Sequence, residues 1–227
     1  MVEMKENNNK VLIFGGIGAA STIAMAIVDA NRNGYNEIEF TGFINDKDGL
    51  NSIDGYPIVG GYNDVASFIR QGYLFINTVY KIDGQEDRVQ LFEELNIPAD
   101  QLAKFIHPRA YIAPNVEIGP GCVVLPNANV SSNVKMGICV RIMTGAMIGH
   151  DCIINDHSFF AANSCAGSHI NFGKATYVGL NSTIGGKLNV GDFSVIGMGA
   201  VVTKNVEPYS IIAGNPGKHL RFTNDKK

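Results

Sequence analysis

The sequence predicts an α/β domain of Rossmann type over residues 1–97, followed by an all-β parallel β-helix over residues 98–227. Two observations carry this prediction. Every sixth position from Ile106 to Val202 is apolar, mostly Ile or Val, and the next position is often Gly. Ahead of that repeat, short apolar runs alternate with helical segments. A strict period of six fits neither an α-helix nor an ordinary sheet, whereas it is the signature of a parallel β-helix.

The first half of the chain is predicted to form a small parallel sheet covered by helices. Strands are expected at residues 10–14, 38–44 and 73–78, and helices at residues 19–30, 62–70 and 86–95. Residues 52–61 are rich in turn formers, and residues 96–104 link the domain to the repeat. Strands that alternate with helices are typical of a parallel sheet of Rossmann type.

A glycine turn follows the first strand directly and precedes the first helix. It places backbone N–H groups and a helix N-terminus at the carboxyl edge of the sheet, which favours a phosphate. The run Gly16-x-Gly18-x-x-Ser21 lacks the third glycine of a dinucleotide motif, and the domain is short. We therefore expect a mononucleotide or a nucleotide-sugar diphosphate, with Asn45 and Asp46 near its base or ribose. The alternative is a turn that serves only close packing of strand and helix.

The repeat predicts a triangular coil of eighteen residues, because three six-residue walls close one turn. Residues eighteen apart then stack at about 4.8 Å along the axis. One coil places Phe160 and Phe172 inside together with the small Ala166, which keeps its interior volume close to that of its neighbours. After the repeat, the turn at 214–218 departs from the period, and residues 221–227 are expected to fray.

Composition narrows the class of partner. The net charge is −3 and the pI is near 5.9, so a nucleic-acid partner is not expected. The apolar runs are too short to enter a membrane, and residues 1–10 lack the apolar stretch of a signal peptide, so a cytoplasmic protein is predicted. The cysteines form no CxxC pair and are expected to be free thiols; they are Cys122, Cys139, Cys152 and Cys165.

The chemistry is predicted at His150, which is followed by Asp151. Stacking by eighteen places Asn133 and His169 beside Asp151. An imidazole held by a carboxylate is a good general base near neutral pH. The alternatives are an inert surface histidine and a metal site, since the γ-class carbonic anhydrases share this repeat. His150, His157 and His169 lie seven and twelve residues apart, which spreads them over different walls, so no metal is expected.

Taken together, these pieces resemble the bacterial nucleotide-sugar N-acetyltransferases, the bacillosamine, perosamine and viosamine type, which are related to the sialic acid O-acetyltransferases. The resemblance rests on the glycine turn with Asn45-Asp46 after the second strand, on Phe105-Ile106-His107-Pro108, on Ile148-Gly149-His150-Asp151-Cys152 and on Gly214-Asn215-Pro216. It implies a left-handed β-helix, a homotrimer with active sites between subunits, and acetyl transfer from acetyl-CoA to a nucleotide-linked amino sugar in bacterial glycan biosynthesis. The sugar is expected to be a 4-amino-4,6-dideoxyhexose.

The resemblance also implies residue roles. His150 would be the base and Asp151 its partner. The nucleotide sugar would contact Ile17, Gly18, Ala19, Asn45, Asp46 and Thr78. Acetyl-CoA would lie near Leu180, Met198, Gly214 and Lys218, with the oxyanion held by a backbone N–H near Gly167 or Ser168.

The chain departs from that pattern at the acetyl end. A second family histidine, which binds acetyl-CoA, falls at Phe159 here, and the family glycine at the oxyanion site falls at Ser168. We expect His169 to share the Asp151 carboxylate and to replace the absent histidine in part, which requires it to lie within about 6 Å of Asp151. O-acetylation on the same scaffold and a catalytically silent binding module remain the competing interpretations.

Overall fold

The computed structural model describes residues 9–223 of the chain. The predictions made for the first eight and the last four residues, an absent signal peptide and a frayed end, lie outside this part. Within it, no helix combines the length and the apolar character needed to cross a bilayer.

The N-terminal half forms the expected α/β unit. Its strands are β1 (Lys10–Phe14), β2 (Glu39–Ile44), β3 (Ser52–Ile53), β4 (Tyr56–Gly60) and β5 (Leu74–Asn77), and its helices are α1 (Ala19–Arg32), α2 (Val65–Arg70) and α3 (Gln85–Glu93). The sheet order is β3-β4-β2-β1-β5, and β1 pairs in parallel with both β2 and β5. Helix α1 buries Ala20, Ile23, Ala24, Ile27 and Ala30, the spacing of one helical face.

The segment at 52–61 differs from its prediction as a turn-rich stretch. It forms a hairpin in which Ile53 pairs with Tyr56, and β4 then joins β2 in parallel. Asp54 and Gly55 both have positive φ, 50° and 81°, which is the type of two-residue turn that Asp-Gly favours. The Asp-Gly pair was the signal in the sequence that could have located the hairpin.

The C-terminal half is a parallel β-helix with three walls, as the period predicted. The first wall contains β6 (Phe105–Ile106), β9 (Val123–Val124), β12 (Arg141–Ile142), β15 (Phe159–Phe160), β18 (Tyr177–Val178) and β21 (Val195–Ile196), then β23 (Ser210–Ala213) and β24 (Lys218–Phe222). The second wall contains β7 (Tyr111–Ile112), β10 (Asn129–Val130), β13 (Met147–Ile148), β16 (Cys165–Ala166), β19 (Thr183–Ile184) and β22 (Val201–Val202). The third contains β8 (Glu117–Ile118), β11 (Lys135–Met136), β14 (Ile153–Ile154), β17 (Asn171–Phe172) and β20 (Asn189–Val190).

The register confirms the coil of eighteen residues. Val130 pairs with Ile148, and Ile148 pairs with Ala166, so each partner lies one coil away. The apolar column fills one continuous core, in which the Phe160 and Phe172 rings meet edge to face with centroids 4.8 Å apart. Ala166 is buried in the same coil, as the volume argument predicted.

The corners between walls use a left-handed residue at every sixth position. Asn127, Asn133 and Asp151 have φ values of 60°, 58° and 57°. Asn and Asp enter this region more readily than most residues because their short side chains bond locally. These corners aim the side chains next to them away from the core.

Residues 218–222, near the end of the described part of the chain, are more ordered than predicted. Strand β24 pairs antiparallel with β23, with Arg221 opposite Ile211, and Arg221 also forms an ion pair with Asp83 at 2.6 Å. The expectation that residues 221 and 222 fray is therefore wrong, because both backbone pairing and an ion pair hold them.

The sheet of the N-terminal half packs against the first wall of the β-helix. One cluster of buried residues joins Ile13 and Ile76 of the sheet to Phe105, Val123 and Phe159 of that wall. The linker adds a backbone bond from Ala103 N–H to the Phe75 carbonyl, 2.9 Å. The division at residue 97 stays a prediction, and no gap in the packing marks it.

Candidate active site

The corner between the second and third walls carries the predicted base. This His150 corner comprises residues 131–134, 149–152 and 167–170. His150 Nδ1 lies 2.6 Å from Asp151 Oδ2, and about half of the imidazole remains exposed. A carboxylate at that distance holds a proton on Nδ1, which leaves Nε2 with a lone pair that faces outward. The pair can therefore accept a proton from a bound substrate at Nε2.

A column of polar side chains holds Asp151 in place. Asn133 Nδ2 donates to Asp151 Oδ1 at 3.0 Å, and Asn115 Nδ2 donates to Asn133 Oδ1 at 2.5 Å. These three residues lie eighteen apart in the sequence and stack on successive coils. Asn133 was predicted beside Asp151, whereas its bond to Asn115 was not anticipated.

His169 lies on the next coil of the same column. Its Nε2 is 4.0 Å from Asp151 Oδ2, and its ring meets the His150 ring edge to face with centroids 5.0 Å apart. This distance satisfies the 6 Å condition set for a shared carboxylate. The three histidines were predicted to lie on different walls. This is right for His157 and wrong for His150 and His169, because residues nineteen apart fall on the same corner.

Hydrogen bonds lower the pKa of Asp151. The bond from His150 is the largest cause, and the bond from Asn133 is the second. A lowered pKa means that the carboxylate stays ionised even somewhat below its ordinary pKa of about 4, and that its contribution is lost only as the pH falls through the lowered value. Asp151 is thus a constant negative partner for His150 at neutral pH.

The two candidate oxyanion donors differ. Gly167 N–H donates to the Ile184 carbonyl at 2.8 Å and is therefore engaged in the wall. Among residues 9–223, no acceptor is bonded to Ser168 N–H. Of the two candidates, Ser168 is therefore the one whose N–H remains free.

The predicted cofactor residues gather at a second place, the Leu180 corner, which comprises residues 179–182, 197–200 and the turn 214–218. Leu180 and Met198 stack one coil apart and are 44% and 77% exposed. The turn is tied to the same corner because Val201 N–H donates to Gly214 O and Gly217 N–H donates to Val201 O. Lys218 is exposed beside it. This corner and the His150 corner lie at opposite edges of the second wall.

The glycine turn opens onto a cleft of about 390 Å³, lined by residues 15–20 together with Tyr62, Thr78, Val79, Tyr80 and Arg88. Ile17 is 83% exposed at its mouth. In the part of the chain that the structure describes, no carbonyl engages the N–H groups of Ile17, Gly18 or Ala19. Sequence reasoning missed Arg88, which brings a positive charge to this cleft from α3.

Three residues predicted to touch the nucleotide make hydrogen bonds at this end of the sheet, and their contact with a nucleotide stays a prediction. Asn45 Nδ2 donates to Gly15 O at 2.9 Å, and Thr78 Oγ1 donates to Phe14 O at 2.5 Å. Asp46 Oδ1 accepts from Tyr62 N–H at 3.0 Å. Asn45 and Thr78 thus hold the end of β1, while the described residues leave Asp46 Oδ2 without a hydrogen bond. Contact of Asp46 with a base or ribose stays a prediction.

Solved structures match this arrangement over nearly the whole chain, although no protein-family profile matches it. The acetyltransferase domain of PglB from Neisseria gonorrhoeae FA1090 superposes with a TM-score of 0.80 and 25% identity, over 94% of this chain and 100% of that domain. PerB from Caulobacter crescentus, solved with CoA and GDP-perosamine, gives 0.80 and 21%, over 93% and 97%. WeeI from Acinetobacter baumannii AYE gives 0.76 and 25%, over 92% and 99%.

The chain has the fold of the nucleotide-sugar N-acetyltransferases. This confirms the resemblance that the sequence motifs indicated. The members of this fold to which the chain is similar include acetyltransferases solved with acetyl-CoA or CoA.

Phe159, which was expected to contact acetyl-CoA, packs between the two halves of the chain. Its ring stacks on Tyr177 and Tyr80, with centroids 5.3 Å and 4.9 Å away, and it is only 6% exposed. Phe159 therefore packs the N-terminal half against the first wall and offers no open face to a cofactor. The expected contact with acetyl-CoA is not supported, because position 159 points outward from a wall that is already covered.

Metal binding can be judged from the same geometry. Ligand atoms of His150, Asp151 and His169 lie within 4.8 Å of one another, so a cation could reach all three. The third imidazole of a γ-class site is absent from this group, because His157 is buried on another corner with its Nε2 3.4 Å from Glu93. The Asp151 carboxylate is already hydrogen-bonded to His150, and this pairing suits proton transfer.

Replacing Asp151 by asparagine is expected to lower kcat for acetyl transfer by about 10- to 100-fold, because the imidazole loses the partner that fixes its tautomer. The KM for acetyl-CoA should change little, since Asp151 bonds to His150 and Asn133 and is not among the residues predicted to bind acetyl-CoA. Steady-state kinetics at neutral pH check this. Lys187→Ala, one coil beyond His169 in the same column, is the matched control; equal losses in both variants would contradict the proposed role.

Proposed function

We propose that the protein is an acetyl-CoA-dependent N-acetyltransferase that acetylates the amine of a nucleotide-linked amino sugar, a 4-amino-4,6-dideoxyhexose. The observation that carries the proposal is the exposed His150–Asp151 pair, 2.6 Å apart, at a corner of this β-helix. The similarity to PglB and PerB supports the reaction class. Acetyl-CoA and nucleotide sugars are both cytoplasmic metabolites, so a cytoplasmic location is part of the proposal.

In this proposal, His150 Nε2 takes a proton from the sugar amine as the amine nitrogen forms its bond to the thioester carbonyl carbon. The C–S bond then breaks and the CoA thiolate leaves. Ser168 N–H donates to the carbonyl oxygen while it carries negative charge. No cysteine nucleophile is required, and Cys152, which is buried at this corner, donates its Sγ–H to Gly167 O at 3.2 Å.

The nucleotide sugar is proposed to occupy the cleft at the glycine turn. The free N–H groups of Ile17, Gly18 and Ala19 and the N-terminus of α1 suit a pyrophosphate. Arg88 adds a cation at the same cleft. The N-terminal half thus serves as a Rossmann-like substrate-binding unit in this proposal.

A left-handed homotrimer would complete the site. The His150 corner and the Leu180 corner lie at opposite edges of the second wall, so a single protomer separates the base from the proposed acetyl-CoA residues. Tyr111 and Met147 leave this wall with apolar side chains 57% and 42% exposed. A threefold arrangement that buries the wall brings the His150 corner of one protomer against the Leu180 corner of the next.

Replacing Met147 by aspartate is expected to dissociate the trimer, because it places a charge in an apolar interface. Sedimentation of the wild type should give three times the 24.4 kDa chain mass, and the variant should sediment as a single chain and lose acetyl transfer. Ile153→Asp, at an exposed site on the third wall, is the control expected to stay trimeric. A trimeric and active M147D variant would contradict the placement of the interface.

The function is tested by incubating the protein with acetyl-CoA and amino sugars linked to UDP, dTDP or GDP. We expect release of CoA thiol and an acetylated product that survives mild alkali, as an amide does. A product cleaved by hydroxylamine would indicate O-acetylation. No transfer together with no binding of CoA in calorimetry would favour a silent binding module and overturn the proposal.

A further inference from the structure

A small, partly open cavity lies between α3 and the first wall and adjoins the cleft at the glycine turn, with which it shares Val79, Tyr80 and Arg88. We call it the seam cavity; Arg141, Gln85, His157, Tyr80 and Phe159 line it. Arg141 projects into it from β12, and Gln85 is the first residue of α3. Three of these side chains, those of Arg141, Gln85 and His157, are polar and more than nine-tenths buried.

Arg141 is a buried cation without a carboxylate partner. It is 3% exposed, and its Nε and Nη1 atoms make no hydrogen bond within residues 9–223. The rings of Tyr80 and Phe159 lie 5.2 Å and 5.1 Å from its guanidinium carbon, which offsets only part of the cost of burial. Burial lowers the pKa of Arg141 to about 10, so the group still carries its charge at neutral pH. A buried charge of this kind needs a counter-charge or strong acceptors.

The other polar groups of the cavity are also unpartnered. Both Nε2 and Oε1 of Gln85 lack a hydrogen bond in the described part of the chain, and so does Nδ1 of His157. The opposite nitrogen of His157 lies near Glu93, which Lys174 also contacts at 2.8 Å, and Glu93 is not among the residues that line the cavity. The cavity therefore presents unused N–H donors from Arg141 and Gln85, and no carboxylate is among the residues that line it.

The size of the cavity limits its occupant. Its volume is about 20 Å³, which is space for a single water-sized or monatomic particle. A phosphate or a nucleotide is larger than this space.

We propose that the seam cavity binds one monatomic monoanion, a halide such as chloride, between the guanidinium of Arg141 and the amide of Gln85. The anion neutralises the buried arginine and accepts the N–H donors that the protein leaves unused. It thereby stabilises the contact between α3 and the first wall.

Two measurements test the proposal on the intact protein. Crystals grown in sodium bromide are expected to show one anomalous peak beside the Arg141 guanidinium. In solution, replacing gluconate by chloride at constant ionic strength should raise Tm by about 3 °C for each tenfold increase in chloride above its dissociation constant. Gluconate serves as the balancing anion because it is too large for the cavity.

Two variants separate a specific site from a general effect of salt. Gln85→Glu places a carboxylate beside Arg141, so its Tm is expected not to depend on chloride, and its bromide peak should disappear. Arg70→Met, which removes an exposed arginine, should keep the chloride dependence of the wild type. A water molecule in place of bromide, or equal chloride dependence in wild type and Q85E, would overturn the proposal.

Discussion

Replacing His150 by alanine is expected to lower kcat for acetyl transfer by about 10²–10⁴-fold, the usual loss when a general base is removed. His150 is half exposed and contributes nothing to the core, so the variant should fold as the wild type does. The KM for acetyl-CoA should stay close to its wild-type value, because the Leu180 corner is untouched. Rates measured with saturating acetyl-CoA and nucleotide sugar provide the check.

The control for this prediction is Arg32→Ala, which removes an exposed side chain at the last turn of α1 and lies outside the residues proposed to bind the substrate or acetyl-CoA. Its kcat should match that of the wild type. A His150→Ala enzyme with more than a tenth of the wild-type kcat would assign the proton transfer to another group, and His169 would then be the next residue to replace.

Replacing Phe160 by alanine is expected to lower the free energy of unfolding by about 3–5 kcal/mol. Phe160 is fully buried in the coil that it shares with Ala166 and Phe172, and no small neighbour can expand into the space that its ring leaves. Denaturant unfolding followed by circular dichroism measures the change, at a fixed protein concentration in case assembly contributes to stability.

The comparison for Phe160 is Ile82→Ala, which truncates a side chain that is 46% exposed. It should alter the free energy of unfolding by no more than about 0.5 kcal/mol. If Phe160→Ala were equally mild, the interior of this coil would have to be loosely packed, which the contact between its two phenylalanine rings contradicts.

The β-helix could be predicted from the sequence because one period fixes both register and interior. Once Val130 and Ile148 are assigned inward, every residue eighteen positions away has a known neighbour. From the sequence alone, that rule places Asn133, Asp151 and His169 next to one another. The N-terminal half follows no such rule, so its strands were predicted but the small hairpin at Asp54-Gly55 was not.

The sequence predicts the burial of outward-facing residues of the β-helix less well than that of inward-facing ones. Arg141, Phe159 and Met147 all occupy outward places of the repeat, yet the first two are buried beneath the N-terminal half and the third is exposed. Which wall is covered depends on how the linker turns, and the repeat carries no information on that. Phe159 was assigned to the cofactor because a family histidine falls at its position, and Arg88 was missed because it lies on α3, away from the glycine turn in the sequence.

The single apolar cluster that joins Ile13 and Ile76 to Val123 and Phe159 has a consequence for rebuilding this enzyme with another specificity. If the N-terminal half were replaced by that of a relative, the new half would have to pack against a first wall whose side chains fit the original half. Chimeras that keep wall and sheet from the same parent should fold, whereas those cut at residue 97 should aggregate. Transplanting sugar preference therefore requires moving the outward residues of the first wall as well.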